Sequence, residues 1–151
     1  MLKTIDPRIT PELMDCLIRL GHGDEIVIAD RNFPAASTAA ECVMPEVIRL
    51  PGFTAPEAVA LITQLMPIDS FTDYGALRME VDGQPEFVAQ VHAETFEVLT
   101  RVAPEGTGLK SLERQDFYAH AKRAFAVVAC SEDRPYGCFI LRMGVVFPED
   151  A

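Results

Sequence analysis

With 151 residues the chain suits one domain with a real core, since a protein of this size buries about 68–70% of its unfolded surface. Apolar residues make up 49% and charged ones 24%, a globular composition that argues against disorder. The formal charge of −10, from 23 acids against 13 bases, leaves no basic stripe for nucleic acid and disfavours an anionic membrane surface.

The longest apolar run, Ala124 to Cys130, falls far short of the roughly 20 residues that span a bilayer. Residues 1–7 hold no apolar signal core, so no export signal is expected and the cytoplasm is the expected location. Cysteines 16, 42, 130 and 138 form no Cys-x-x-Cys and read as free thiols. Histidines 22, 92 and 120 are scattered, and the Gly-x-Gly pieces are too short for a dinucleotide fingerprint. Neither a metal nor a cofactor is expected.

The first predicted helix starts at Thr10-Pro11-Glu12. Thr10 is a cap, Pro11 suits the first helical position, and Glu12 complements the dipole. Leu13, Met14, Leu17, Ile18 and Leu20 form its apolar face, and Gly21 is expected to end it in a left-handed cap. Next come His22 between two glycines, the continuous apolar run Ile26-Val27-Ile28-Ala29, and Asp30. The run has the pattern of a strand covered on both faces, and a carboxylate at the carboxyl end of such a strand lies where open α/β sheets place ligands. His22 and Asp30 thus flank one strand. Taken alone, a histidine between glycines also serves as a helix cap, and an acid after a strand also starts a turn.

Residues 31–37 read as a loop, by pattern alone slightly more an ordinary connection than a pocket wall, followed by a short strand over 46–50. Thr54-Ala55-Pro56-Glu57 is a capping box opening a second helix, which Pro67 stops. A strand is expected over 76–82 and the longest helix over 85–102, with His92 inside it as a partly buried or surface residue and not a ligand. After the glycine-rich break at 105–108 follow a strand (109–113) leading to Arg114, a short helix (117–123) capped by Asp116, a strand (125–130), a polar turn, and a last strand (136–142). Six strands interleaved with four helices predict an α/β layered fold in a single domain over residues 1–151.

The stretch Leu-Gly-His-Gly-Asp-Glu-Ile-Val-Ile-Ala-Asp-Arg-Asn-Phe-Pro (20–34) closely resembles the family that contains L-fucose mutarotase and D-ribose pyranase. The likeness continues in Leu112 to Tyr118, in Ala121 to Val128, in Tyr136-Gly137 and in the opening Met-Leu-Lys-Thr-Ile, while residues 38–108 are only loosely alike. The resemblance implies a mixed sheet flanked by helices. It implies an enzyme that interconverts the α and β anomers of a monosaccharide without a cofactor, in homo-oligomers with sites completed near subunit contacts. His22 then matches the proton-donating histidine, and Asp30, Arg114 and the Tyr136 element match substrate-binding positions. Gly-His-Gly-Asp-Glu-Ile with an arginine at 114 resembles the fucose branch. Two departures stand out: Cys138 replaces the family's usual asparagine, and Ala119-His120 replaces its usual Glu-Arg.

The chemistry suits these residue types. Mutarotation protonates the ring oxygen and deprotonates the anomeric hydroxyl, then reverses both steps. A histidine supplies both protonation states at cellular pH. Asp30 accepts from a hydroxyl or orients the imidazole, Arg114 offers a fixed fork of donors, and Tyr136 and Tyr118 can stack on a sugar face. Two other readings stay open on sequence: a non-catalytic sugar-binding module altered by Cys138, and an assembly protein without a ligand.

Overall fold

In the computed structural model, which describes residues 2–150, the run Glu25–Ala29 forms β1, an inner strand of a six-stranded sheet. Its side chains alternate between two cores: Ile26 and Ile28 face one, Val27 and Ala29 the other. The remaining strands are β2 (Ile48–Leu50), β3 (Ala76–Met79), β4 (Leu109–Leu112), β5 (Ala126–Cys130) and β6 (Phe139–Arg142). Their order across the sheet is β2-β5-β1-β6-β3-β4. Strands β2, β5 and β1 run parallel, β6 runs antiparallel to both β1 and β3, and β3 and β4 are parallel to each other. The expected mixed α/β sheet is therefore present.

Helices α1 (Pro11–Arg19), α3 (Ala55–Ile62) and α4 (Gln90–Val102) contribute to the first core, while α2 (Ala35–Ala39) and α5 (Arg114–Ala121) contribute to the second. Both expected caps form: Thr10 accepts from the Leu13 amide, and Thr54 and Glu57 close a reciprocal box. No helix among the described residues is long and apolar enough to cross a membrane.

Boundaries differ from expectation where side chains claim the backbone. Gly21 is not a left-handed cap: α1 stops at Arg19, Leu20 is extended, and Gly23 takes the positive φ of +89°. The Asp24 carboxylate accepts from the Gly21 amide and closes that turn. Residues 35–39 are helical, not loop. Strand β3 ends at Met79 because the chain reverses through a bridge between Val81 and Gln84, with Gly83 at φ +70°. Helix α4 starts at Gln90, not Pro85, because the buried Arg78 guanidinium holds the Pro85 carbonyl and His92 caps the Ala89 amide. Glu113, not Asp116, caps α5 through the amides of Gln115 and Asp116, which makes Arg114 the first helical residue. Strand β6 starts at Phe139, because Tyr136 is left-handed at φ +62°.

Candidate active site

At the carboxyl end of β1 the chain closes a cavity of about 320 Å³, within the range of small-molecule sites. Asp30, Asn32 and Phe33 enter from the end of β1, Met79 and Asp82 from the end of β3, and Arg114 and Tyr118 from α5. Pro135, Tyr136 and Cys138 enter from the turn before β6. Five of the six sequence-predicted residues therefore meet here. The 31–37 segment also walls a larger neighbouring cavity of about 610 Å³, which shares Asp30 and Phe33 with the smaller one. The smaller cavity is the candidate because the carboxylates, the arginine and the tyrosines converge on it.

Each polar group in it is held in place. Asp30 is buried, and burial raises its carboxyl above the usual aspartate value. The amides of Asn32, Phe33 and Gly137 and the Cys138 thiol oppose that rise only in part. Its Oδ1 accepts from the Asn32 amide at 2.9 Å. The Nε of Arg114 donates to both carboxylate oxygens of Asp82, at 2.8 and 3.0 Å, which leaves its two terminal nitrogens outside that pair. Asp82 first, then Tyr118, hold the guanidinium still more firmly protonated. The arginine lies 5.8 Å from the centre of the Tyr118 ring, and Phe33 packs against that ring at 5.5 Å.

His22 does not line this cavity. It sits at the amino end of β1, and the five residues of that strand alone separate the two ends by about 13 Å at 3.3 Å per residue. Its side chain is 48% exposed, and its Nε2 lies 3.0 Å from Oδ1 of the fully buried Asp69. The Phe71 ring meets the imidazole edge-on at 5.6 Å. Burial alone would raise Asp69; hydrogen bonds from the Thr72 hydroxyl, His22 and the Phe71 amide outweigh it and hold the carboxyl below its usual value.

The network extends inward from Asp69 to Arg142, 3.5 Å away, and from Arg142 to Glu25 at 3.4 Å. Glu25 also accepts from the Tyr74 hydroxyl at 2.7 Å and lies 2.6 Å from Nε2 of His120. Burial raises Glu25, but the hydrogen bonds from His120 and Tyr74, together with the nearby Arg142 charge, bring it below its usual value. Asp69, Glu25, Arg142 and Tyr74 escaped the sequence reading, because each acts through a partner far away in the chain. No group of three or more His, Cys, Asp or Glu side chains among the described residues is placed to hold a metal ion.

This architecture can be compared with known proteins. Residues 3–146 match the RbsD / FucU transport protein family. The chain belongs to that family. The fucose mutarotase of Homo sapiens is 40% identical over 148 residues, covering 96% of this chain and 94% of its own. The L-fucose mutarotase of Haemophilus influenzae (strain 86-028NP) is 37% identical over 145 residues, 96% of this chain and 97% of its own. The crystal structure of the fucose mutarotase from Streptococcus pneumoniae in complex with L-fucose shares 36% identity and a TM-score of 0.85. It covers 97% of this chain and 100% of its own.

Within this RbsD / FucU fold the two sequence departures have structural consequences. Cys138 is buried at the cavity, and its sulfur accepts from the Asp30 amide at 3.5 Å. Burial, with the neighbouring Asp30 charge, pushes its thiol well above the usual value, so it stays protonated. His120 is largely buried and anchors Glu25, which ties α5 to the network that reaches His22.

Proposed function

We propose that this chain is a cofactor-independent mutarotase that interconverts the α and β anomers of L-fucose or a closely related monosaccharide. The convergence of Asp30, Arg114, Tyr118 and Tyr136 on one cavity, in a member of this family, carries the reading. Arg114 offers the terminal nitrogens not bound by Asp82 to adjacent hydroxyls, and the Phe33–Tyr118 wall takes an apolar sugar face. Asp30, a carboxyl with a raised pKa, accepts the proton of a sugar hydroxyl.

His22 is the proton donor in this reading, and it works on the cavity of a neighbouring copy. Its distance from its own cavity and its exposure support this, and so does its apolar surround. Phe71 is 62% exposed, and Val102, Val145, Val146 and Phe147 lie open around a hollow of about 550 Å³ that also includes Phe71. Exposed apolar side chains gathered around one hollow suit a contact with another protein surface. Asp69, itself fixed by Thr72 and the Phe71 amide, orients the imidazole and leaves the other ring nitrogen for the substrate. One well-placed general acid contributes about 10²–10⁴-fold.

Anomer-exchange NMR on L-fucose tests the reading. The protein should accelerate exchange and His22→Ala should abolish the acceleration. Co-assembled His22→Ala and Arg114→Ala chains should regain part of it, because some sites then pair an intact histidine with an intact cavity. Binding without exchange would instead favour a sugar-binding module. Neither binding nor exchange across a panel of aldoses would sink both.

A further inference from the structure

Helix α4 carries a titratable side chain that the chemistry above does not use. His92 is fully buried and both of its ring nitrogens are engaged. Nδ1 accepts from the Ala89 amide at 3.1 Å, capping the helix. A neutral imidazole with Nδ1 accepting carries its proton on Nε2, and that nitrogen lies 2.9 Å from the carbonyl oxygen of Tyr136, 44 residues away. The Phe139 ring meets the imidazole edge-on at 6.0 Å and closes the space around it. His92 itself does not line the cavity.

Tyr136 does line it, with a backbone at φ +62° that a bulky residue rarely adopts. Such a conformation is strained and persists only where the surroundings over-determine it. Here they do. Glu132 accepts from the Ala55 amide, binds Arg134 through three nitrogens and is fully buried, and Arg134 also reaches Glu94 on α4. The chain at Gly137 runs so close to Glu132 and Val91 that a Cβ there would lie 2.7 Å from the Glu132 Cγ. These contacts anchor the turn on both sides of Tyr136. The bond from His92 is the one that ends on the Tyr136 carbonyl.

We propose that His92 is a positioning residue for the sugar site: its Nε2–H···O=C bond to Tyr136 holds the left-handed turn that presents Tyr136 to the cavity. This rests on the reading of that cavity as the monosaccharide site. Two substitutions divide the two ring nitrogens between them. In His92→Asn the side-chain oxygen falls near the place of Nδ1 and can still cap Ala89, but nothing reaches Tyr136. In His92→Gln the amide reaches toward Tyr136, while the cap acceptor is lost.

Crystal structures of both variants and L-fucose kinetics, with far-UV circular dichroism to confirm folding, decide the matter. In His92→Asn, Tyr136 should leave the left-handed region, and KM should rise roughly tenfold with kcat little changed, as for a lost binding contact. His92→Gln should keep the Tyr136 conformation and a KM within about twofold of wild type, although it melts lower for want of the cap. A His92→Asn structure with Tyr136 unmoved would overturn the proposal. So would KM values that track melting temperature in both variants. Should wild type leave L-fucose untouched, the sugar reading fails, and the Tyr136 backbone in His92→Asn still decides whether His92 positions it.

Discussion

Replacing Glu132 by glutamine tests the anchoring of the site turn directly. Glu132 is fully buried, and burial alone would raise its carboxyl. Hydrogen bonds from the Arg134 side chain and from the amides of Ala55 and Arg134 outweigh burial and bring it from 4.5 down to about 2. The drop of about 2.5 units, at 1.36 kcal/mol each, corresponds to about 3 kcal/mol of stability at neutral pH. That agrees with the 3–5 kcal/mol cost of breaking a buried ion pair. Glu132→Gln keeps the shape and an oxygen acceptor but removes the charge. In a chain of about 150 residues the melting temperature should then fall by roughly 6–12 °C at neutral pH.

The pH dependence makes this specific. The folded pKa lies below the unfolded one, so the stabilisation is complete above about 4.5 and is lost as pH falls toward about 2. Melting followed by circular dichroism, at one protein concentration because any association would shift the midpoint, should show a wild-type-to-variant gap that closes over that window. The depressed carboxyls that Glu132 does not influence, Asp6, Glu25 and Asp69, are present in both proteins and cancel in the difference. A gap under about 1 °C at neutral pH, or one that stays constant into acid, would refute the argument.

Two further outcomes follow from the cavity. Because burial raises Asp30, the acid limb of kcat/KM should lie above the 3.8 of an ordinary aspartate, with activity present above that limb and lost below it. In Asp30→Asn that limb should vanish and kcat/KM should fall at least about tenfold; an unchanged profile would remove Asp30 from the proton path. Gly137→Ala would place a methyl 2.7 Å from Glu132 Cγ and 3.1 Å from the Arg134 carbonyl oxygen, an overpacking that costs about 1–3 kcal/mol. Melting temperature and sugar affinity should fall together in that variant, and a loss of one without the other would separate the turn from the site.

Local chemistry makes much of this legible in the sequence. The two-faced run Ile26–Ala29 announced an inner strand, Thr10 and Thr54 marked helix starts, and chain order put Asp30, Arg114 and Tyr136 at element ends. What stayed hidden depends on distant partners. Asp69 lies in an aperiodic stretch and reaches His22, 47 residues earlier, because its amide is pinned to the Arg142 carbonyl and Ile68 bridges Met143. Periodicity placed His92 on a helix correctly, yet no local pattern could announce a bond to a carbonyl 44 residues on. Tyr136 looked like the entrance of a strand because aromatic residues favour strands; the anchored turn around it overrides that preference.

The division of labour along β1 follows from the sheet itself. Antiparallel β6 sets Arg142 opposite Glu25, so the charged network gathers at the amino end of β1. The parallel partner β5 delivers the Glu132–Arg134 turn beside the carboxyl end, where Asp30 lies. Each end therefore acquires a rigid, hydrogen-bonded set of polar groups, and the rigidity of the strand keeps the two sets apart. Side-chain motion cannot close that distance, because both faces of β1 are packed. In the proposed reading, the His22 imidazole therefore meets an Asp30–Arg114 cavity only on a second copy of the chain. On that reading, the open apolar side chains around Phe71, beside His22, are what the second copy would cover.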